Sequence, residues 1–211
     1  MCYNVNMNGM MNMKNKKITR KISQGMYILT TVGGGCVVDA VSQVSAGDEP
    51  LISVAVMKGN YTNELVKKNR KLAISVLGMN VDMELVKTFG FNSMRDIDKF
   101  ENTEYEVIDG INIIKGTLGY MMCEVIDSIE NETHTLFICK MVDGDIFDNE
   151  DEPMTYGYYQ AHKDELLKVK TEEGKTAWVC NLCGYIYYGE ELPEDFVCPV
   201  CNAGREYFSK K

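Results

Sequence analysis

Cys180 and Cys183 form one C-x2-C pair and Cys198 and Cys201 a second, with 14 residues, 184–197, between them. Two such pairs can put four thiolates at the corners of a tetrahedron, the geometry wanted by a Zn or Fe ion with four sulfur ligands. Short C-x2-C loops let backbone N–H groups turn toward the sulfurs and stabilise the buried negative charge. Gly184 follows the first pair and Asn202 the second. These residue types most easily take positive φ, which a tight chelating loop demands. Two disulfides or four unligated thiols are the bland alternative, and the paired spacing argues against both. Cys2, Cys36, Cys123 and Cys139 lie outside the pattern and read as free thiols; Cys139, inside the apolar run L-F-I-C-K, reads as a small buried hydrophobe.

The rest of the chain must position this centre and whatever it serves. At 211 residues it can hold one large or two small domains with a sizeable core. The formal charge of −9, from 31 acids against 22 bases, argues against nucleic acid, which needs a basic footprint. Lys14, Lys16, Lys17, Arg20 and Lys21 make a basic run that reads as a solvated tail. No apolar stretch approaches the ~18 residues of a membrane span. Residues 1–17, rich in Asn and Met, show neither the charge nor the apolar run of a signal peptide and read as a disordered leader. A cytoplasmic location follows as the expectation, one in which thiols stay reduced.

From Met26 the pattern is mostly strand: M-Y-I-L-T-T-V, then C-V-V-D-A-V-S-Q-V-S over 36–45, then L-I-S-V-A-V-M, separated by G-G-G and G-D-E-P turns. Residues 60–69 read as a helix capped by Asn60 or Thr62, and 81–89 as a second, ended by Gly90. Strands follow at 71–77, about 105–108 and 111–117. Two long ones come next, turned at Asn131, then an acidic loop from Asp143 to Glu152 and a helix from Ala161. Many strands with few short helices predict an antiparallel barrel, not a doubly wound sheet. The polar stretch 171–176 reads as a linker, giving a first domain over 18–170 and a second over 177–211. Gly33, Gly34 and Gly35 are not a dinucleotide fingerprint, since Val38 stands where the third Gly is needed and a strand follows.

Spacing alone fits a zinc ribbon as well as redox iron. The filling of the second domain is more specific: C-G-Y-I-Y after the first pair, C-P-V-C as the second, and Trp178, Tyr185, Tyr187, Phe196 and Phe208 as an aromatic core. From about Ala177 to Phe208 it resembles rubredoxin, with a shortened loop G-E-E-L-P-E-D-F. The resemblance implies one iron on Cys180, Cys183, Cys198 and Cys201 that moves single electrons.

Residues 23–160 resemble the flavin reductase-like family. The likeness is carried by C-V-V-D-A-V-S-Q-V-S, N-Y-T-N-E-L, F-G-F-N-S-M-R-D-I-D-K-F, H-T-L-F-I and P-M-T-Y-G-Y-Y. It implies a mainly β fold, an FMN-binding split β-barrel that is antiparallel with short helices, usually a homodimer. The FMN contacts it implies are Gln43, Ser45, Asn60, Thr62, Asn63, Lys99 and His134. The helix start at Asn60–Asn63 would supply phosphate donors, Lys99 the counter-charge, and His134 a group near the ring. Asp39 and Gly34 stand where relatives often carry Asn, and Asn63 where they carry His. Asp39 would place a negative charge beside a flavin that becomes anionic on reduction.

The combination resembles the high-molecular-weight rubredoxins. It implies an NAD(P)H-dependent flavin/rubredoxin oxidoreductase passing electrons through FMN to iron, and on to a partner such as a flavodiiron oxygen or nitric oxide reductase. The alternative is a flavin or ferric reductase whose small domain is a zinc-ribbon-like docking module.

Overall fold

The computed structural model describes residues 16–147, 150–166, 176–181, 185–199 and 203–210. The expected leader, apart from Lys16 and Lys17, and residues 171–175 of the expected linker lie outside them.

The first half of the barrel runs β1 (Tyr27–Thr31), β2 (Gly34–Val38), β3 (Val41–Ser45), β4 (Leu51–Met57), α1 (Tyr61–Asn69) and β5 (Lys71–Val76). The second half runs α2 (Met83–Phe91), β6 (Tyr105–Ile108), β7 (Ile111–Ile114), β8 (Gly119–Glu130), β9 (His134–Ile146) and α3 (Tyr156–Leu166). Seven strands form one antiparallel sheet in the order β2-β1-β5-β8-β9-β4-β3, and β6 pairs with β7 as a separate hairpin.

Alternation decides which side chains point inward. Ile52, Val54 and Val56 of β4 and Thr135, Phe137 and Cys139 of β9 are buried, while their neighbours are not. These inward groups meet Leu29, Leu72, Ile74 and Val125 in the barrel interior, and Val66 of α1 plugs one side. A second core lies outside, where Met26, Ile28 and Leu77 meet Val86 and Phe89 of α2 and Tyr159 of α3. Each large apolar side chain buried this way contributes roughly 1.5–3 kcal/mol.

Besides the strand expected at 111–117, which ends at Ile114, four elements differ from the sequence expectation. The run 36–45 breaks at Asp39–Ala40, because β2 belongs to β1 and β3 to β4. There Val41 N–H closes on Asp39 C=O at 3.0 Å and Ala40 C=O accepts from Ala55 N–H at 3.0 Å, so Asp39 sits on a corner. Helix α2 starts after Asp82, whose carboxylate accepts Glu84 N–H at 3.0 Å, and runs through Gly90 to Phe91. Helix α3 starts at Tyr156, within Y-G-Y-Y. Strand β9 continues through Asp143 and Asp145, because pairing with β8 persists to Gly119↔Ile146. The Asn131 turn is as expected: its side-chain oxygen accepts Thr133 N–H at 3.1 Å and His134 N–H at 2.8 Å.

In the second domain β10 (Thr176–Cys180), β11 (Ile186–Gly189) and β12 (Phe208–Lys210) form a sheet in the order β11-β10-β12. Phe196 packs on Tyr187 and Phe208, with ring centres 4.8 and 5.2 Å away. Among the described residues no helix is long and apolar enough to cross a membrane.

Candidate active-site cleft and metal centre

Where β2 and β4 face α2 and the start of α3, the barrel opens into a slot of about 270 Å³. Its walls are mostly apolar: Met26, Val37, Val38, Ala55, Val56, Val86, Phe91, Tyr156 and Tyr159. Asp39, Asn60 and His134 are its polar groups, and Cys36 completes one wall. A second space of about 370 Å³ shares Asn60, Gly90 and Phe91 with the first. It is lined by Gly59, Tyr61, Asn92, Ser93, Arg95 and Asp96 of the barrel and by Tyr185 and Pro199 of the second domain. The two make one groove, apolar at its inner end and polar at its outer end. An aromatic ring system with a phosphorylated tail fits that profile.

Local structure aims each polar group. The Asn60 side chain caps α1 by accepting Thr62 N–H at 3.0 Å, which leaves the residue where the two parts meet. His134 opens β9 straight from the Asn131 turn, and its Nδ1 lies 2.8 Å from Thr133 Oγ1. Burial pushes the His134 imidazole below its ordinary value, opposed by the Asp39 charge. Burial pushes the Asp39 carboxyl upward, opposed by the backbone N–H groups of Asp39 and Ala40 and by His134. Arg95 stacks on the Tyr61 ring, 4.5 Å from its centre, and pairs with Glu64 at 2.5 Å.

Of the expected flavin contacts, the structure brings Asn60 and His134 to the groove. Thr62 is buried, with its hydroxyl beside the Cys36 thiol. Asn63 is also buried; its amide donates to Val56 C=O at 2.9 Å and Thr135 Oγ1 at 3.0 Å, tying α1 to β4 and β9. Gln43 and Ser45 lie exposed on the edge strand β3 and line neither part of the groove. The Gln43 amide donates to Ser45 C=O at 3.2 Å, and Ser45 Oγ accepts Leu51 N–H at 3.3 Å beside the bulge at Val44 that ends β3. Lys99, expected as the phosphate counter-charge, instead points into the protein, donating to the carbonyls of Gly35 at 2.9 Å and Phe89 at 3.1 Å. The cation that lines the polar end is Arg95. Arg95, Tyr156 and Tyr159 all sit in stretches that carried the family likeness, but nothing local to them distinguishes groove from surface.

In the second domain Cys180 and Cys198 are fully buried and packed together with Ala203, Tyr185 and Phe208. The two arms are alike: Cys180 N–H donates to Tyr185 C=O and Cys198 N–H to Ala203 C=O, both at 2.8 Å. Two thiols brought from distant chain segments into one apolar cluster fit a thiolate-ligated metal. Cys183 and Cys201 lie outside the described residues.

Residues 19–166 match the family described as flavin reductase like domain, and residues 178–209 the one described as rubrerythrin, rubredoxin-like domain. Barrel and cysteine cluster thus belong to a flavin reductase-like oxidoreductase fused to a rubredoxin-like domain. A high molecular weight rubredoxin of Moorella thermoacetica is 31% identical over 92% of this chain and 98% of its own length. The chain belongs to that family of fused flavin reductase-like and rubredoxin proteins. A ferric-chelate reductase (NAD(P)H) of Archaeoglobus fulgidus is 30% identical over 68% of this chain and 87% of its own. An NADH:FAD oxidoreductase of Streptomyces globisporus shares the fold, with TM-score 0.61 and 18% identity over 69% of this chain and 92% of that one.

Proposed function

We propose that the chain takes electrons from NAD(P)H on FMN in the groove. It then passes them to one iron on Cys180, Cys183, Cys198 and Cys201, and from there to a partner protein such as a flavodiiron oxygen or nitric oxide reductase. The observation that carries this reading is the shared lining of the groove's outer end. Tyr185, two residues after Cys183, and Pro199, next to Cys198, stand there opposite Asn60 and Arg95. Electron donor and acceptor would then meet across a few side chains of one protein at high effective concentration.

FMN, when bound, accepts an electron pair and releases it in single steps, as a one-electron metal site requires. The chain's own residues do the rest. The apolar walls exclude water and hold the ring. His134 and Asn60 offer the hydrogen bonds that orient it. Arg95 and the N-terminal end of α1 neutralise the phosphate. Two copies paired through the barrel agree with Ile126 and Ile129, which are 51% and 55% exposed in one copy.

The ferric-chelate reductase among the relatives favours a second reading, reduction of flavin or ferric chelates with the small domain holding zinc for docking. Metal content and colour separate the two. Protein purified without oxygen and then oxidised should contain one iron and show red thiolate-to-iron absorption that Cys183→Ser abolishes or strongly shifts. One zinc and no iron, after expression in excess iron, would overturn the electron-transfer reading.

A further inference from the structure

Among the described residues, Lys99 is the one charged side chain that is buried, with 2% of its surface exposed. Its ammonium is satisfied by two carbonyl oxygens and takes part in none of the ion pairs among those residues. A buried cation without a carboxylate loses much of its hydration and gets no opposite charge in return. Burial accordingly pushes Lys99 down to about 8. Such a charge is poorly placed in the protein alone and well placed beside an anion that comes and goes.

The carbonyls show where that anion would be. Gly35 and Phe89 immediately precede Cys36 and Gly90, which line the inner slot from β2 and from α2. Lys99 is therefore fixed one residue behind the slot wall, holding its two sides together. It lines neither part of the groove, so it acts through the wall and not by touching the phosphate. Facing it are the Cys36 thiol of β2, beside the Thr62 hydroxyl of α1, and the Phe89 ring of α2, centred 5.7 Å away. Asp96 and Asp98 of its own loop are exposed, and Asp39 is the carboxyl in the slot itself.

We infer that Lys99 is a positioning residue for charge: it stabilises the negative charge that the bound flavin ring gains on reduction and so sets the flavin potential. The inference rests on the flavin reading above. Oxidised flavin becomes the reduced anion by taking up two electrons and one proton. While Lys99 is protonated in both states, that is the whole balance. Burial holds Lys99 at about 8; an oxidised ring is neutral and adds no charge to shift it, whereas the negative charge of the reduced ring raises it. Above that pH the oxidised protein has lost the Lys99 proton and reduction restores it. Two electrons then bring two protons, one to the flavin and one to Lys99 Nζ. The extra proton adds about 30 mV per pH unit to the slope of a two-electron couple.

The test is spectroelectrochemical titration of the FMN-loaded full chain between about pH 7 and about pH 9, with fluorescence titration of oxidised FMN alongside. The native protein should show the steeper slope above about pH 8. Lys99→Met should weaken reduced FMN at least about tenfold more than oxidised FMN, a fall of about 30 mV or more, with no change of slope. Lys99→Arg should keep the native potential and also lose the change of slope. A constant slope in the native protein, or equal weakening of oxidised and reduced FMN in Lys99→Met, overturns the inference. Should Lys99→Met fail to fold, the native slope and Lys99→Arg still decide. Failure of the native chain to bind FMN would instead overturn the flavin reading itself.

Discussion

Replacing Arg95 by Ala should cost FMN affinity while sparing riboflavin, which lacks the phosphate. A charge-assisted hydrogen bond is worth about 1.5–3 kcal/mol. Part of that must be returned, because Arg95 already pairs with Glu64 at 2.5 Å. With side chains 48% and 57% exposed, that pair is worth only about 0–1 kcal/mol. Taking about 0.5 kcal/mol for the pair, the net loss is about 1–2.5 kcal/mol, or about 5- to 70-fold in Kd. Quenching of flavin fluorescence during titration measures both ligands in the same cell. Loss confined to FMN identifies the polar end of the groove as the phosphate end. If Arg95→Ala leaves FMN affinity unchanged, or weakens riboflavin equally, the assignment of the two ends is wrong.

Asn63→Ala should lower stability by about 1–3 kcal/mol in a denaturant melt, since it strips Val56 C=O and Thr135 Oγ1 of a buried partner, and should leave FMN affinity nearly unchanged. Asp39→Asn should raise the flavin potential. One unit charge on the slot wall, at an effective dielectric constant near 20, is worth on the order of 1–2 kcal/mol, or about 20–45 mV for two electrons. A potential that stays put, measured by dye equilibration, would mean that Asp39 is already neutral in the slot, and one that falls would contradict a repulsive charge there.

The metal motif was legible in the sequence because chelation is partly local: two short loops must each present two sulfurs, and the spacing records it. Strands were legible for a similar reason, through alternation such as Ile52, Val54 and Val56. The groove was less so, because its walls come from residues as far apart as Met26 and Tyr159. Lys99 and Arg95 show the difficulty. Both lie in N-S-M-R-D-I-D-K-F, and only the tertiary path sends one ammonium behind β2 and leaves the guanidinium on Tyr61. The corner at Asp39 was hidden because V-V-D-A-V reads as continuous strand. What breaks it is the change of partner from β1 to β4, which no local pattern records.

The central claim is that electrons reach the metal only by way of the groove. An iron ringed by four thiolates offers no open position to a two-electron donor. Rapid mixing of NADH or NADPH with oxidised protein, followed at the flavin and iron absorption bands, tests this directly. FMN-loaded protein should bleach flavin and then iron, FMN-free protein should leave its iron oxidised, and added FMN should restore the reaction. Iron reduced as fast without FMN as with it would contradict the account.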